Sequence, residues 1–226
     1  MAGKKLTGRI AADRIRMQST PKPPAGAVER FVALGECTSL ISDVMDELGI
    51  AEGAVGASTL KPTILGKLVV GPALTVRNIT QRSDPVNAKA HVNRMAEFEE
   101  HNLAEDGDVL VVSGVAGVSN IGGISAYTGQ SRGQRGAIVM GGVRDVRYLR
   151  SIGYPVWASE ITPVTGKWRI ETVEINGEIQ MGDVRVNPGD LVVADDTGVL
   201  FIPRDRIIDV LELCEKKKKA EDHRVN

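Results

Sequence analysis

The chain has 226 residues, of which 42% are hydrophobic, and its formal net charge is −1 at pH 7. This length allows one large domain or two small ones. The near-neutral charge argues against a nucleic-acid or membrane partner, and the 4% of aromatic residues provides no rows of rings for base stacking. No apolar run reaches the roughly 20 residues of a transmembrane helix. The basic N-terminus lacks an apolar core, and Cys37 and Cys214 form no motif, so we expect a reduced, cytoplasmic protein.

The first part of the chain changes from a polar arm to a regular hydrophobic pattern. Residues 1–27 are polar and end in PKPPAGA, which predicts an extended N-terminal arm, and the domain then comprises residues 28–226. Residues 29–50 predict two helices separated by a glycine, with Thr38 or Ser39 as the N-cap of the second.

The middle of the chain alternates strands and helices. KLVVGPALTVRNI predicts a strand, residues 84–103 a helix with Pro85 in its first turn, and VLVVSG the next strand. A helix over residues 124–132, the strand AIVMGG and a helix over residues 145–151 follow. This βαβα order favours a parallel sheet, so the predicted fold class is α/β.

The last third of the chain contains short apolar segments between glycine and proline turns. YPVWASE, TVEI, EIQM and VRVNPGDLVVADDTGVLFIP predict a small β unit packed on the α/β part. Within the last segment, Asp195 and Asp196 precede Gly198 and indicate a hairpin turn. Residues 204–224 predict a charged C-terminal helix with a solvated lysine run at 216–219.

The pair Arg144–Asp145 is the strongest candidate for chemistry. It follows a buried strand that ends in MGGV, and glycines there allow a ligand to approach the backbone closely. Arginine binds a carboxylate in bidentate fashion, and aspartate is an oxygen ligand for Mg²⁺, which takes only one or two carboxylates. The alternative is a surface ion pair that opens the next helix, where aspartate is favoured.

A glycine-rich loop over residues 113–125 is the second candidate. It leads into a helix start near Gly123, Ile124 and Ser125, where free N–H groups bind a carboxylate or a phosphate. The loop contains neither GxGxxG nor a P-loop lysine, which argues against a nucleotide. The alternative is an ordinary turn between a strand and a helix.

Other polar residues give weaker indications. Asp43 and Asp46 share one helix face, where a solvated surface is favoured over a metal site. Serine and cysteine residues lack a nucleophile-elbow context. Arg77 and Lys89 are further candidates for lining a pocket from the N-terminal half. Three histidines lack the spacing of metal ligands: His91, His101 and His223.

Several segments together resemble the RraA-like family, and they lie between residues 38 and 203: SDVMDELGI, VVGPALTV, GDVLVVSG, RGQRGAIVMGGVRDVRYL, YPVWA and VNPGDLVVADDTGVLFIP. That family includes 4-hydroxy-4-methyl-2-oxoglutarate / 4-carboxy-4-hydroxy-2-oxoadipate aldolases and the regulator of ribonuclease E activity. Its frequent demethylmenaquinone methyltransferase label has no support here, because no glycine-rich S-adenosylmethionine loop is evident. The resemblance implies a swivelling ββα domain with a mixed or parallel sheet and flanking helices, assembled as a homotrimer or homohexamer with intersubunit sites.

The resemblance also implies a mechanism. Asp145 would bind a divalent metal, Mg²⁺ or Mn²⁺, and Arg144 would hold the pyruvyl portion of a small 2-oxo acid. The backbone around Gly122, Gly123, Ile124 and Ser125 would bind its carboxylate. Cleavage to pyruvate would pass through a metal-stabilised enolate without a Schiff-base lysine, and oxaloacetate decarboxylation would use the same enolate.

The chain departs from the aldolase pattern at two positions. Gly123 and Tyr148 stand where the aldolases have acidic residues. A third acid, from the C-terminal region of a neighbouring subunit, would be Glu215 or Glu221. These departures leave two alternatives: a non-catalytic regulator or binding protein of an RNA-degrading enzyme, and a lyase or hydrolase of a different small carboxylate.

Overall fold

A mixed sheet flanked by helices is the centre of the fold in the computed structural model of the chain, which describes residues 4, 6–81 and 92–225. The helices are α1 (Ala27–Ala33), α2 (Thr38–Glu47), α3 (Glu97–Leu103), α4 (Gly123–Ser131), α5 (Val146–Ile152) and α6 (Ile207–Val225). The strands are β1 (Ala54–Gly56), β2 (Lys61–Pro62), β3 (Val69–Thr80), β4 (Val109–Ser113), β5 (Ser119–Ile121), β6 (Gly136–Val143), β7 (Val156–Ile161), β8 (Ile170–Ile175), β9 (Ile179–Met181), β10 (Val184–Val186), β11 (Leu191–Ala194) and β12 (Gly198–Ile202). Among the described helices, none is long and apolar enough to cross a membrane.

Four neighbouring parallel strands, β3, β4, β6 and β7, form the middle of the sheet. The first four residues of β4, from Val109 to Val112, are all buried, as expected for a parallel strand that is covered on both faces. Helices α3, α4 and α5 pack on one face, whereas α1, α2 and α6 form a second cluster with β11 and β12. The predicted α/β class with a mixed sheet is therefore confirmed.

The C-terminal strands join the main sheet, and the predicted separate β unit is wrong for most of them. Strand β3 is twelve residues long, and the edge opposite β4 pairs first with β11 and then with β8, both antiparallel. This length allows one strand to bind two partners in succession. Among the described strands, only β9 and β10 form a separate hairpin.

The predicted helix over residues 84–103 is wrong in its described first part. Residues 92–96 are not helical, and α3 begins only at Glu97; residues 84–91 lie outside the described residues. The Ala96 N–H donates to the hydroxyl of Thr172 at 2.9 Å, and the Thr172 N–H donates to the carbonyl of Arg94 at 3.1 Å. The backbone of this segment therefore bonds to β8 instead of forming helical hydrogen bonds.

The N-terminal arm packs against the sheet. Ile10 and Ile15 are buried in the same cluster as the parallel strands, and the Arg16 N–H donates to the carbonyl of Ile175 at 2.9 Å. Helix α1 begins at Ala27, so the predicted boundary between arm and domain falls in its first turn.

The β11–β12 hairpin turn caps helix α2, which the sequence did not predict. Cys37 occupies the N-cap position, and neither Thr38 nor Ser39 caps the helix with its side chain. Instead, the buried Asp195 carboxylate accepts from the Thr38 N–H at 3.0 Å, the Thr38 hydroxyl at 2.7 Å and the Thr197 N–H at 2.9 Å. The predicted hairpin turn is confirmed, and it also fixes the start of a distant helix.

We expect Asp195→Ala to lower the free energy of unfolding by about 2–3 kcal/mol, because it leaves the two buried donors of Thr38 without an acceptor. Asp196→Ala is the matched control, since within the described residues its carboxylate accepts only from the exposed Gly66 N–H. Urea denaturation at pH 7 measures both, and equal losses for the two variants would contradict this role of Asp195.

Candidate active site

Arg144 and Asp145 lie at the carboxyl end of β6, where the chain turns into α5. Asp145 is the N-cap of α5 and has a left-handed backbone conformation, with φ of 60° and ψ of 32°. Aspartate tolerates this region better than most residues that have a Cβ. The Arg144 N–H donates to the carbonyl of Ile121 at 3.1 Å, which ties the turn to β5. Both side chains reach solvent, with exposed fractions of 36% and 50%.

The carboxylate of Asp145 bonds to the start of α4. Its Oδ2 accepts from the Gly123 N–H at 2.9 Å and lies 3.7 Å from Nε of Arg144. The amide of Gly123, predicted to bind a substrate carboxylate, is therefore already used. Among the described residues, no acceptor binds the N–H groups of Ile124 and Ser125, so these two remain available.

The Arg144 side chain crosses close to Gly122. A Cβ at Gly122 would lie 2.9 Å from Nε of Arg144 and 3.1 Å from Oδ2 of Asp145. Any side chain there would push the two functional groups away from α4.

Gly123 and Tyr148, the two departures from the aldolase pattern, are in contact. A Cβ at Gly123 would lie 2.8 Å from Cδ1 and 3.4 Å from Cγ of the Tyr148 ring. The ring therefore occupies the space that a side chain at position 123 would need. The residues at positions 123 and 148 therefore pack against each other at the edge of the larger cavity.

The site opens into two adjoining cavities. The larger, of about 720 Å³, lies between α4 and α5 and is lined by Gly123, Ile124, Asp145 and Tyr148 among others. The smaller, of about 180 Å³, contains Ser125, Gly122, Arg144 and Asp145, and three charged residues that sequence reasoning missed: Arg9, Glu97 and Lys167. No motif connects these three, because tertiary contacts alone bring them together.

Glu97 is the second carboxyl group of the smaller cavity. Burial raises its pKa above the ordinary value, and the positive charges of Lys167, Arg144 and Arg9 lower it in part. A carboxyl group with a raised pKa in a cleft is suited to proton transfer.

A buried network of side-chain hydrogen bonds contacts α4 on its side that faces the protein interior. Nε2 of His101 lies 2.8 Å from the Ser125 hydroxyl, and Nδ1 lies 3.2 Å from Oε1 of Gln134, which also accepts from the Tyr154 hydroxyl at 3.1 Å. Burial lowers the pKa of His101 to about 4, so its ring is neutral at pH 7. His101 thus holds the Ser125 hydroxyl in place, in agreement with its lack of metal-ligand spacing.

The carboxylates of the site are compatible with a hydrated divalent cation. Within the described part of the chain, no three His, Cys, Asp or Glu side chains come together as a metal site. Mg²⁺, however, commonly binds through one or two carboxylates and keeps several waters. Asp145 at the cleft, with half of its side chain exposed, satisfies that requirement.

Other predicted residues lie elsewhere or outside the described residues. Arg77 does not line either cavity and pairs with Glu174 at 3.6 Å. Glu215 binds Arg30 of its own chain through both oxygens, at 2.8 and 2.7 Å. Asp43 and Asp46 are exposed, which confirms the solvated helix face. Lys89, His91 and the side chains of two C-terminal residues are outside the described part: Glu221 and His223.

Comparisons with known proteins agree on one family. A family model described as RraA-like (Aldolase/RraA) matches residues 38–201. "Putative 4-hydroxy-4-methyl-2-oxoglutarate aldolase" of Halalkalibacterium halodurans is 30% identical over 187 residues, which cover 82% of this chain and 80% of that protein. Protein DlpA of Legionella pneumophila is 29% identical over 210 residues, which are 90% of this chain but only 33% of that protein. This chain therefore spans about a third of the length of DlpA.

Solved structures confirm the fold. Streptomyces coelicolor RraAS2, described as an unusual member of the RNase ES inhibitor RraA protein family, has a TM-score of 0.76 at 25% identity. The match covers 90% of this chain and 97% of that one. The RNA-processing inhibitor RraA from Thermus thermophilis has a TM-score of 0.52 at 22% identity and matches the fold over 72% of this chain.

We expect Gly123→Ala to cost about 1 kcal/mol of stability in the natural chain, because its Cβ would collide with the Tyr148 ring. In the Tyr148→Ala background the same change should cost nothing, or stabilise by up to about 1 kcal/mol, since alanine favours the helix. Urea denaturation of the four proteins of this double-mutant cycle measures the coupling. Equal effects of Gly123→Ala in both backgrounds would contradict the packing contact.

We expect His101 to make stability depend on pH in a defined direction. Its pKa is about 4 in the folded protein and 6.5 in the unfolded chain, so only the unfolded chain binds a proton between these pH values. The stabilising contribution of neutral His101 is full above pH 6.5 and is lost as the pH falls toward 4. From pH 7 to pH 5, the stability advantage over His101→Asn should shrink by about 2 kcal/mol.

Urea denaturation of both proteins at each pH measures this difference. Other groups also titrate in this pH range, including Glu100, because burial raises the pKa of its carboxyl group well above the ordinary value. The comparison with His101→Asn cancels their contribution, since they are present in both proteins. A difference that stays constant from pH 7 to pH 5 would show that His101 titrates normally.

Proposed function

The chain belongs to the RraA-like family, and we propose that it is a metal-dependent (class II) lyase that cleaves a small 2-oxo acid to release pyruvate. The observation that carries the proposal is the Arg144–Asp145 pair at a cleft, beside the N–H groups of Ile124 and Ser125, which have no acceptor among the described residues. The name of the Halalkalibacterium relative supports an aldolase with a 4-hydroxy-4-methyl-2-oxoglutarate-like substrate.

Substrate binding would use the positively charged group and the N–H donors of this cleft. The planar guanidinium of Arg144 matches the carboxylate and 2-oxo oxygens of a pyruvyl group. The N–H groups of Ile124 and Ser125 add donors at the positive end of α4. Two donor groups from different elements then hold one end of the substrate in a single orientation, which lowers the entropic part of the barrier.

Asp145 is the residue that would hold Mg²⁺ or Mn²⁺. Such a cation, when bound, supplies Lewis-acid stabilisation of the negative charge that develops on the 2-oxo oxygen during carbon–carbon cleavage. The Gly123 N–H, which donates to Asp145 at 2.9 Å, fixes the orientation of this carboxylate.

Glu97 is the group that would transfer the proton. It lines the same cavity as Arg144, and its raised pKa suits a carboxyl group that would accept the substrate's hydroxyl proton as the carbon–carbon bond breaks and then give it to the carbon of the departing pyruvyl fragment. This assignment supplies an acid in a site from which the two acids expected at positions 123 and 148 are missing. Oxaloacetate decarboxylation would need the same proton transfer and is the proposed side reaction.

A homotrimer or homohexamer with intersubunit sites is the proposed assembly. Two large apolar side chains that line the larger cavity, Ile124 and Tyr148, are exposed in the single chain, as is Tyr127 one turn further along α4. Exposed apolar side chains of this kind are typical of a protein–protein interface, and their position supports a neighbouring subunit that covers the cleft.

A non-catalytic regulator of an RNA-degrading enzyme is the second candidate. The Tyr148 ring over Gly123 favours it, because the ring occupies the space of one missing acid and replaces the other. The description of RraAS2 as a member of an RNase ES inhibitor family supports the same alternative.

We expect pyruvate release from 4-hydroxy-4-methyl-2-oxoglutarate and from oxaloacetate with Mg²⁺ or Mn²⁺, and loss of activity with a chelator. Arg144→Gln and Asp145→Asn should each lower kcat/KM by at least about 100-fold, because each removes a charge that binds or stabilises the reacting group. Arg132→Gln, which changes an exposed arginine at the far end of α4, should keep activity within about twofold.

A folded protein that releases no pyruvate from either substrate would overturn the lyase proposal. Inhibition of a ribonuclease E-type enzyme by the same preparation would then support the regulator. Turnover that persists undiminished in Asp145→Asn would show that this carboxylate holds no required metal.

A further inference from the structure

The N-terminal arm brings a cation into the cleft beside Arg144. Arg9 lies outside residues 38–201, the part matched by the family model, yet its side chain lines the 180 Å³ cavity together with Arg144, Asp145 and Glu97. Lys167, from the connection between β7 and β8, lines the same cavity. Two cations from distant parts of the chain therefore line the same cavity of the candidate active site.

The backbone of the arm is fixed on both sides of Arg9. The Thr7 N–H donates to both carboxylate oxygens of Glu99, at 2.8 and 2.9 Å, and the Thr7 hydroxyl donates to the same carboxylate. On the other side, Ile10 is buried in the main hydrophobic cluster with 5% of its surface exposed. Arg9 is thus held between two anchored residues, and its place in the cleft follows from the fold of the arm.

The charges of Arg9 and Lys167 are not neutralised by ion pairs. Within the described part of the chain, neither side chain forms a salt bridge, whereas Arg14 and Arg16 of the same arm pair with Glu171 and Glu174. Glu97 is the nearby carboxyl group on which both cations act, and it is also influenced by Arg144. The cavity thus presents three cations and two carboxyl groups, an excess of positive charge suited to an anionic ligand.

We propose that Arg9 and Lys167 form a second anion subsite, which binds a carboxylate at the end of the substrate remote from its 2-oxo acid group. This inference rests on the proposed function, because Arg144 would hold the 2-oxo acid end. The N-terminal arm then determines specificity: a substrate with two carboxylates bridges both subsites, whereas one with a neutral tail uses only the first.

The test compares two ligands that differ only at the remote end. 2-Oxoglutarate carries a carboxylate there, and 2-oxopentanoate carries a methyl group. Isothermal titration calorimetry at constant ionic strength, with Mg²⁺ present, gives both dissociation constants. We expect the natural chain to bind 2-oxoglutarate at least about tenfold more tightly, as for one charge-assisted contact.

Arg9→Gln and Lys167→Gln should each remove most of this preference while leaving the affinity for 2-oxopentanoate unchanged. Arg14→Gln is the matched control, because it removes an arginine of the same arm that pairs with Glu171, outside the cavity. It should keep the preference of the natural chain. Arg144→Gln should weaken both ligands by the same factor.

The outcomes separate the two proposals. The subsite is overturned if the natural chain binds neither ligand, shows no preference, or keeps its preference in both Arg9→Gln and Lys167→Gln. If the preference depends on Arg9 and Lys167 but Arg144→Gln changes neither affinity, the subsite stands and the proposed function is overturned.

Discussion

The hydrogen bond from the Gly123 N–H to the Asp145 carboxylate is the contact on which the site depends. It joins the start of α4 to the start of α5, two helices that follow different strands of the parallel sheet. The left-handed backbone of Asp145 makes the contact possible, because it turns the side chain back toward α4. Arg144 then crosses close to Gly122, where a Cβ would lie 2.9 Å from its Nε. The hydrogen bond therefore fixes the Asp145 carboxylate at the start of α4, beside the Arg144 guanidinium.

The packing of Tyr148 on Gly123 affects how the absence of the acidic residues expected at positions 123 and 148 is interpreted. The ring fills the space beside the helix start and lines the larger cavity with an aromatic face. Glu97 lines the smaller cavity together with Arg144. In the proposed reaction, Glu97 would supply the carboxyl group for proton transfer.

Sequence patterns predict the elements whose structure depends on neighbouring residues. They fail to predict elements whose start or end is determined by contacts with distant parts of the chain. Buried parallel strands are continuous apolar runs, so β4 and β6 and the glycine turn before Arg144 were recognisable. The start of α3 was not, because Thr172 takes the N–H of Ala96. The cap of α2 was missed for the same reason, since Asp195 arrives from a distant hairpin. Spacing also gave no indication of the three charged residues that tertiary folding adds to the cleft: Arg9, Glu97 and Lys167.

The arm shows how a shared domain can acquire its own specificity. The parallel sheet and the Arg144–Asp145 turn lie within the region that matches the family, and in the proposed reaction this turn would bind the reacting end of the substrate. Arg9 comes from outside that region and reaches the same cleft because Thr7 and Ile10 anchor the chain around it. A change at Arg9 can alter the charge of the cavity without disturbing the turn. The proposed subsite then combines Arg9, from outside the matched region, with Lys167, from within it, and both line the cavity of the Arg144–Asp145 pair.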